Sequence, residues 1–343
     1  MSARASGVEG APVERLGEAG AALVEVRRRP DAEKERRELL AALLDDSPSI
    51  PSKHFYDARG LALFDAITEL PEYYPTRTER AILERVAPEV AARTRATQLV
   101  ELGSGSAVKT RVLIDALRAA GTLRQYVPVD VNEDSLRRVG EELAAVHPGL
   151  AVHGIAADFH DPLAPLPPAP PPGPRLAIFI GGTIGNLRPE DEAPEFLRRV
   201  RGALTPGDRF LLGVDLVKDP AVLEAAYDDA AGVTAEFNRN VLLVSNRLLG
   251  ADFDPARFAH RAFYDREREW IEMRLVATEP MEVRLGGGCG RLHLPAGAEI
   301  RTEISAKYTR RRTEAMLGAA GFASEAWYTD EREWFGLALA RTD

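Results

Sequence analysis

Between residues 76 and 215, short apolar runs alternate with amphipathic ones, and this alternation constrains the chain more than any other feature. The apolar runs 98–102, 126–131, 152–156, 175–180 and 209–214 contain few polar residues. Strands of that kind are buried on both faces, which points to a parallel sheet sandwiched between helices. The stretches 107–120, 133–147 and 189–203 have helical periodicity, as the crossovers of such a sheet require. A further helix is expected over 76–93, where Thr76 and Glu79 stand at capping-box spacing.

After Asp215 the rhythm breaks. Residues 220–249 read as two helices, 263–277 alternates like a strand through Trp270, Glu272 and Arg274, and two short strands flank the glycine-rich turn 286–290. A helix over 309–320 and strands over 325–330 and 334–340 follow. The chain is expected to leave the α/β layer after its fifth strand, build a second α+β unit, and return to complete the sheet. Residues 78–215 and 308–343 would form the first domain, and 31–77 with 216–307 the second. The helix expected over 31–46 carries Leu39, Leu40, Leu43 and Leu44 at helical spacing. Residues 1–30 lack a clear period and read as a flexible leader. The proline-dense stretch 161–174 reads as a stiff surface loop with polyproline II character, or as a ligand for a proline-binding domain.

Charge narrows the partners. The 343 residues carry a net charge of −9, and the pI is near 5.4. An acidic surface disfavours broad nucleic-acid binding and docking on anionic membranes. A monomer acting on a small molecule is expected. Cys289 is the lone cysteine, which allows neither an internal disulfide nor a thiolate zinc site. The six histidines lack metal-ligand spacing, so no metal is expected, and a reducing cytoplasm fits the cysteine usage. The N-terminus has no apolar signal region, and no run is apolar enough to span a bilayer.

Glu101-Leu102-Gly103-Ser104-Gly105-Ser106 falls between the first strand and its helix. Glycines there permit a sharp turn and close approach to a ligand at the carboxyl ends of the strands. Asp130 ends the next strand, where an acid can accept hydrogen bonds from ribose hydroxyls. Val108 stands where the third glycine of a dinucleotide fingerprint would be, which disfavours a nicotinamide cofactor, and no P-loop is present. The acid before the first glycine, the single G-x-G and Asp130 together resemble class I methyltransferases that use S-adenosylmethionine. That resemblance implies an adenine contact from Asp158-Phe159, although Asp158 reads equally as a helix or turn cap.

Seven segments carry a more specific resemblance. They are Phe55-Tyr56-Asp57-Ala58-Arg59-Gly60, Leu70-Pro71-Glu72-Tyr73-Tyr74-Pro75-Thr76-Arg77, the glycine turn, Gly181-Gly182-Thr183-Ile184-Gly185-Asn186, Asp215-Leu216-Val217-Lys218-Asp219-Pro220, Trp270-Ile271-Glu272-Met273 and Arg301-Thr302-Glu303-Ile304-Ser305-Ala306-Lys307-Tyr308. From about residue 35 to the end the chain resembles the histidine Nα-methyltransferases of ergothioneine biosynthesis. Leu61 departs from the small polar residue expected there. The resemblance implies a Rossmann-like class I S-adenosylmethionine methyltransferase domain with a second α+β substrate-binding domain inserted after strand five. It implies three methylations of the histidine α-amine, giving trimethylhistidine (hercynine). It also implies that Tyr56, Tyr73, Gly181, Asn186, Tyr227, Met273, Glu303 and Ser305 line the amino-acid pocket, with Tyr56 and Asn186 catalytic. Gly103, Lys109, Asp130, Asp158 and Phe159 would hold the cofactor.

These residue types suit the chemistry. An asparagine amide can donate to a carboxylate and accept from an amine. Glu303 and Ser305 alternate along a strand, share a face, and suit the ring of histidine. Without the resemblance they read as a solvated strand face, Tyr227 as a packed helix tyrosine, Met273 as core, and Asn186 as a turn residue. Two other functions stay open: methylation of another aromatic amino acid such as tryptophan, and a non-catalytic module that binds S-adenosylmethionine.

Overall fold

The computed structural model describes residues 13–16, 22–26, 32–105, 107–158, 163, 165–168, 173–288 and 290–343. Strands β1 (Val13–Leu16) and β2 (Ala22–Val26) precede helices α1 (Ala32–Leu43), α2 (Ala58–Thr68) and α3 (Tyr74–Thr94). The α/β alternation follows as β3 (Gln98–Leu102), α4 (Thr110–Ala119), β4 (Gln125–Asp130), α5 (Glu133–Val146), β5 (Ala151–Ala156), β6 (Arg175–Phe179), α6 (Glu192–Ala203) and β7 (Arg209–Asp215). Helices α7 (Pro220–Tyr227) and α8 (Val233–Leu249) come next, then strands β8 (Phe258–Asp265), β9 (Trp270–Ala277), β10 (Met281–Leu285), β11 (Gly290–Leu294) and β12 (Glu299–Ala306). Helix α9 (Arg310–Ala319) and strands β13 (Phe322–Thr329) and β14 (Phe335–Thr342) complete the chain.

Nine strands form one sheet in the order β1-β2-β5-β4-β3-β6-β7-β14-β13. The run from β2 to β7 is parallel, and β14 returns antiparallel to β7. This is the α/β, Rossmann-like architecture that the alternation implied. The order reverses between β3 and β6, so a crevice opens at their carboxyl ends. One apolar cluster, with Leu83, Val86, Leu113 and Leu143, covers one face of the sheet. A second, with Phe179, Phe196, Leu197 and Leu317, covers the other. A third joins Leu39, Phe55, Leu223, Phe237, Leu275 and Ile300, uniting α1, α2, α7 and α8 with the three-stranded sheet β12-β9-β8.

Several elements depart from the sequence reading. Part of the segment expected to be a flexible leader is strand: β2 pairs with β5 in parallel, and Val24 is buried where it extends the sheet. Ala22-Leu23-Val24-Glu25-Val26 is short, alternating and partly β-branched, which suits an added strand. Helix α3 begins at Tyr74, so Thr76 and Glu79 form no capping box; Glu79 is fully buried and its carboxylate is used elsewhere. The stretch 263–277 is a hairpin, not one strand, because the Asp265 carboxylate accepts from the N–H groups of Glu267 and Arg268 and turns the chain. Helix α2 was not anticipated; Asp57 caps it by accepting from Gly60 N at 2.8 Å. Phe159, His160, Cys289 and residues 169–172 of the proline loop lie outside the described residues.

The turn Thr183–Asn186 after β6 packs on β12. That contact has no room to spare: a Cβ on Gly185 would sit 2.8 Å from the Ala306 carbonyl oxygen and 3.1 Å from its nitrogen. Gly185→Ala should therefore cost about 1–3 kcal/mol by forcing the turn off the strand. Thermal unfolding checks it; an unchanged midpoint would show that the turn yields freely.

Candidate active site

At the crevice, Gly103 and Gly105 take φ of +67° and +49°, the region that glycine alone enters without strain. The Gly103 N–H donates to Val129 O at 2.8 Å, which ties the turn to the end of β4. Asp130 accepts from Gly105 N at 2.8 Å and from Asn132 N at 2.9 Å, and Ser135 Oγ donates to Gly105 O at 2.7 Å. Burial lifts the Asp130 carboxyl above its ordinary range, against those backbone donors. A carboxylate has about four acceptor sites, so lone pairs remain for a vicinal diol. A Cβ on Gly105 would meet nothing within 4 Å, and Ser104 Oγ is buried without a partner. The turn is thus an open cradle with an unspent polar atom, which fits a nucleoside-bearing cofactor. Asp158 is half-buried just beyond β5, at the same end of the sheet.

Glu101, which precedes the first glycine, is spent internally. It accepts from Thr110 Oγ1 at 2.5 Å and from the Tyr126 hydroxyl, pinning α4 and β4 to β3. Burial raises its carboxyl to about 7 despite those donors. Lys109 is paired with Glu79, whose two oxygens also accept from Gly181 N at 2.8 and 2.9 Å. Lys109 and Gly181 therefore meet at a buried carboxylate between the glycine turn and the end of β6.

The remaining expected residues converge on β12. Glu303 lies opposite Met273 in the β12–β9 ladder, and Ser305 opposite Ile271. Met273 is only 1% exposed and belongs to the third apolar cluster. The Asn186 side chain hydrogen-bonds Glu303. Burial raises the Glu303 carboxyl to about 7, with the Lys307 charge and the Asn186 bond opposing. Tyr227, from α7, donates to Ser305 Oγ at 2.7 Å, and the ring of Tyr73 meets Tyr227 edge-on at 6.4 Å. Tyr56 is 36% exposed; burial, then the charges of Glu303 and Tyr227, push its phenol above the usual 10. Its ring packs edge-on against Phe64 at 5.8 Å, and Phe64 in turn against Tyr73 at 6.1 Å.

A buried charge network underlies this cluster, and no sequence argument assigned it a role. Asp215, at the end of β7, accepts from the Tyr74 hydroxyl at 2.8 and 2.9 Å and from Lys218 Nζ at 2.6 Å, and it pairs with Lys307 Nζ at 2.8 Å. The two ammonium groups hold the Asp215 carboxyl below its ordinary range in spite of burial. Burial lowers Lys218 to about 8, although Asp215 opposes the shift. Lys307 was discoverable: Glu303, Ser305 and Lys307 repeat at period two and share one side. Asp215 and Tyr74 are far apart in sequence, and only the fold pairs them.

A parallel sheet with a glycine turn and an acid-ended strand at its switch point defines a class I methyltransferase. More narrowly, the chain belongs to the family of histidine-specific, S-adenosylmethionine-dependent methyltransferases, whose model matches residues 35–342. It is 47% identical to the histidine N-alpha-methyltransferase of Mycolicibacterium smegmatis over 309 residues, covering 90% of this chain and 95% of that one. The enzyme of the same name from Mycobacterium tuberculosis is also 47% identical, over 305 residues, with 89% and 94% covered. The L-tryptophan methyltransferase of Psilocybe serbica is 27% identical over 326 residues, with 87% and 89% covered. The chain is therefore an S-adenosylmethionine-dependent enzyme.

The raised Glu303 carboxyl has a stability consequence. An unfolded glutamate ionises near 4.5, so the folded chain loses stability as pH rises from 4.5 through about 7, and the full cost is present above that. Glu303→Gln removes the charge and should stabilise the ligand-free protein at pH 8 by about 1–3 kcal/mol, with little gain near pH 4. Melting curves at both pH values test this; an equal gain at both would place the cause outside ionisation.

Proposed function

We propose that this protein transfers three methyl groups from S-adenosylmethionine to the α-amine of L-histidine, producing trimethylhistidine (hercynine) for ergothioneine synthesis. The observation that carries the reading is the Glu303–Asn186 pair aligned with Ser305 on one strand face. It sets a ring-binding carboxylate beside an amide able to take the amino-acid end. The two mycobacterial relatives are each named histidine N-alpha-methyltransferase.

When bound, S-adenosylmethionine would be held by Gly103, Lys109, Asp130, Asp158 and Phe159 and would supply a sulfonium methyl group that an amine lone pair can take, with the neutral thioether as leaving group. Lys109 would act there through Glu79, with which it is paired. The chain's own task is orientation, which can supply about 7–11 kcal/mol. Asn186 holds the substrate carboxylate, Tyr56 orients the neutral amine, Tyr227 supports Ser305 through its hydroxyl, and Glu303 and Ser305 engage the ring. Tyr73, Gly181 and Met273 complete the walls. Crowded tyrosines desolvate an ammonium and so favour the reactive amine.

The reading divides the chain into a cofactor domain (78–215 and 308–343) and a substrate domain (31–77 and 216–307). The third apolar cluster, which joins residues 39–73 to 223–300, supports that division. It also takes the protein as a cytoplasmic monomer with no nucleic-acid or membrane partner. The acidic balance supports the absence of a nucleic-acid partner.

The test is incubation with S-adenosylmethionine and an equimolar mixture of amino acids, read by mass spectrometry. Trimethylated histidine is the expected product; methylated tryptophan would overturn the ring assignment. Glu303→Ala should raise KM for histidine at least tenfold and leave cofactor affinity unchanged, and equal loss of both would refute its ring role. Asp130→Ala should weaken S-adenosylmethionine at least tenfold by calorimetry. Unchanged affinity would move the ribose site elsewhere.

A further inference from the structure

Lys307 is 0% exposed, yet it carries a charge beside the proposed ring pocket. Its ammonium has three protons and three acceptors: Asp215 Oδ2 at 2.8 Å, Ser305 Oγ at 2.8 Å and the Tyr227 hydroxyl at 3.1 Å. Burial works against the charge, but the Asp215 carboxylate overrides it and keeps the group an ammonium. The rest is donor arithmetic. The Tyr227 oxygen accepts from Lys307, so its own proton goes to Ser305 at 2.7 Å. Ser305 Oγ then receives two donors, which fills both of its lone pairs. Its remaining proton is its one free hydrogen-bonding function, and it can only be donated.

We propose that Lys307 is a positioning residue that locks Ser305 as a donor, so that the ring pocket holds the histidine imidazole neutral. This rests on the histidine reading above. Glu303, when ionised, accepts the one ring N–H, and Ser305 donates to the bare nitrogen. An imidazolium would turn a second N–H against the Ser305 proton, two donors facing each other. Left to Glu303 alone, the ring would gain that second proton, because a nearby carboxylate favours the charged form. The charged and titratable groups around the ring are Glu303 and Lys307 from β12 and its end, Tyr227 from α7, Tyr56 and Tyr73 flanking α2, and Asp215 and Lys218 behind Lys307. A neutral ring adds no further cation to a site that must also accept a sulfonium.

The experiment is ¹⁵N NMR of ring-labelled histidine bound to the full chain with S-adenosylhomocysteine, at about pH 7.5, above the point near 7 at which Glu303 ionises. The wild type is expected to show one protonated and one bare ring nitrogen. Lys307→Met leaves Asp215 with Lys218 and Tyr74, and should show both nitrogens protonated, with KM for histidine raised about tenfold and S-adenosylhomocysteine affinity unchanged. Ser305→Ala keeps the Lys307 charge and should also give a doubly protonated ring. It separates the donor lock from simple charge repulsion and carries the test alone should Lys307→Met not fold. A doubly protonated ring in the wild type overturns the proposal, as does a ring left neutral by Ser305→Ala. A wild type that binds S-adenosylhomocysteine but shows no bound histidine overturns the histidine reading itself.

Discussion

The Asp215 carboxylate is where the layers of this molecule meet. It ends β7 of the main sheet and gathers Tyr74 from α3, Lys218 from the following turn and Lys307 from the end of β12. Sheet, N-terminal helices and antiparallel unit are thus tied at one buried point. Buried ion pairs gain little net stability against apolar alternatives, but losing one partner costs about 3–5 kcal/mol. Such a junction is therefore better understood as setting geometry than as adding stability. The geometry it sets is the position of β12, and with it Glu303 and Ser305.

Two glutamates, Glu101 buried and Glu303 half-buried, show how one cause can serve two ends. Burial lifts both Glu101 and Glu303 to about 7. Glu101 is met by Thr110 and Tyr126, and its work is finished within the fold. Glu303 has the Asn186 amide and acceptor capacity left over. An incompletely satisfied, partly buried carboxylate is costly in the free protein, and a ligand that donates to it recovers the cost. Glu79 works differently: it ties Lys109 to the Gly181 backbone and so joins the glycine turn to the turn after β6.

Much of the fold was legible because parallel strands buried on both faces leave an unbroken apolar signal. β3 lies where that signal put it, and β4 to β7 differ by a residue or so at their ends. Legibility failed where the signal was local and the outcome was not. Thr76 and Glu79 had capping-box spacing, but tertiary burial claimed Glu79. The β2 strand looked like leader because a five-residue alternation is weak until an edge is available to pair with it. Of the site, Glu303 and Ser305 followed from strand alternation together with family resemblance, and Asp130 from its place after a strand. Tyr74 and Asp215 did not follow from either, because nothing local marks a pair of residues 141 positions apart.

The sequence by itself determined the α/β class, the glycine turn with its acid, and the excursion after strand five. All of these rest on periodicity and backbone freedom, which are properties of contiguous residues. The tertiary structure alone decided which polar side chains are spent on the fold and which are left for chemistry. Glu101 and Glu79 carry the same residue type as Glu303. Only the three-dimensional partner of each, and the dielectric around it, separates a structural pair from a site.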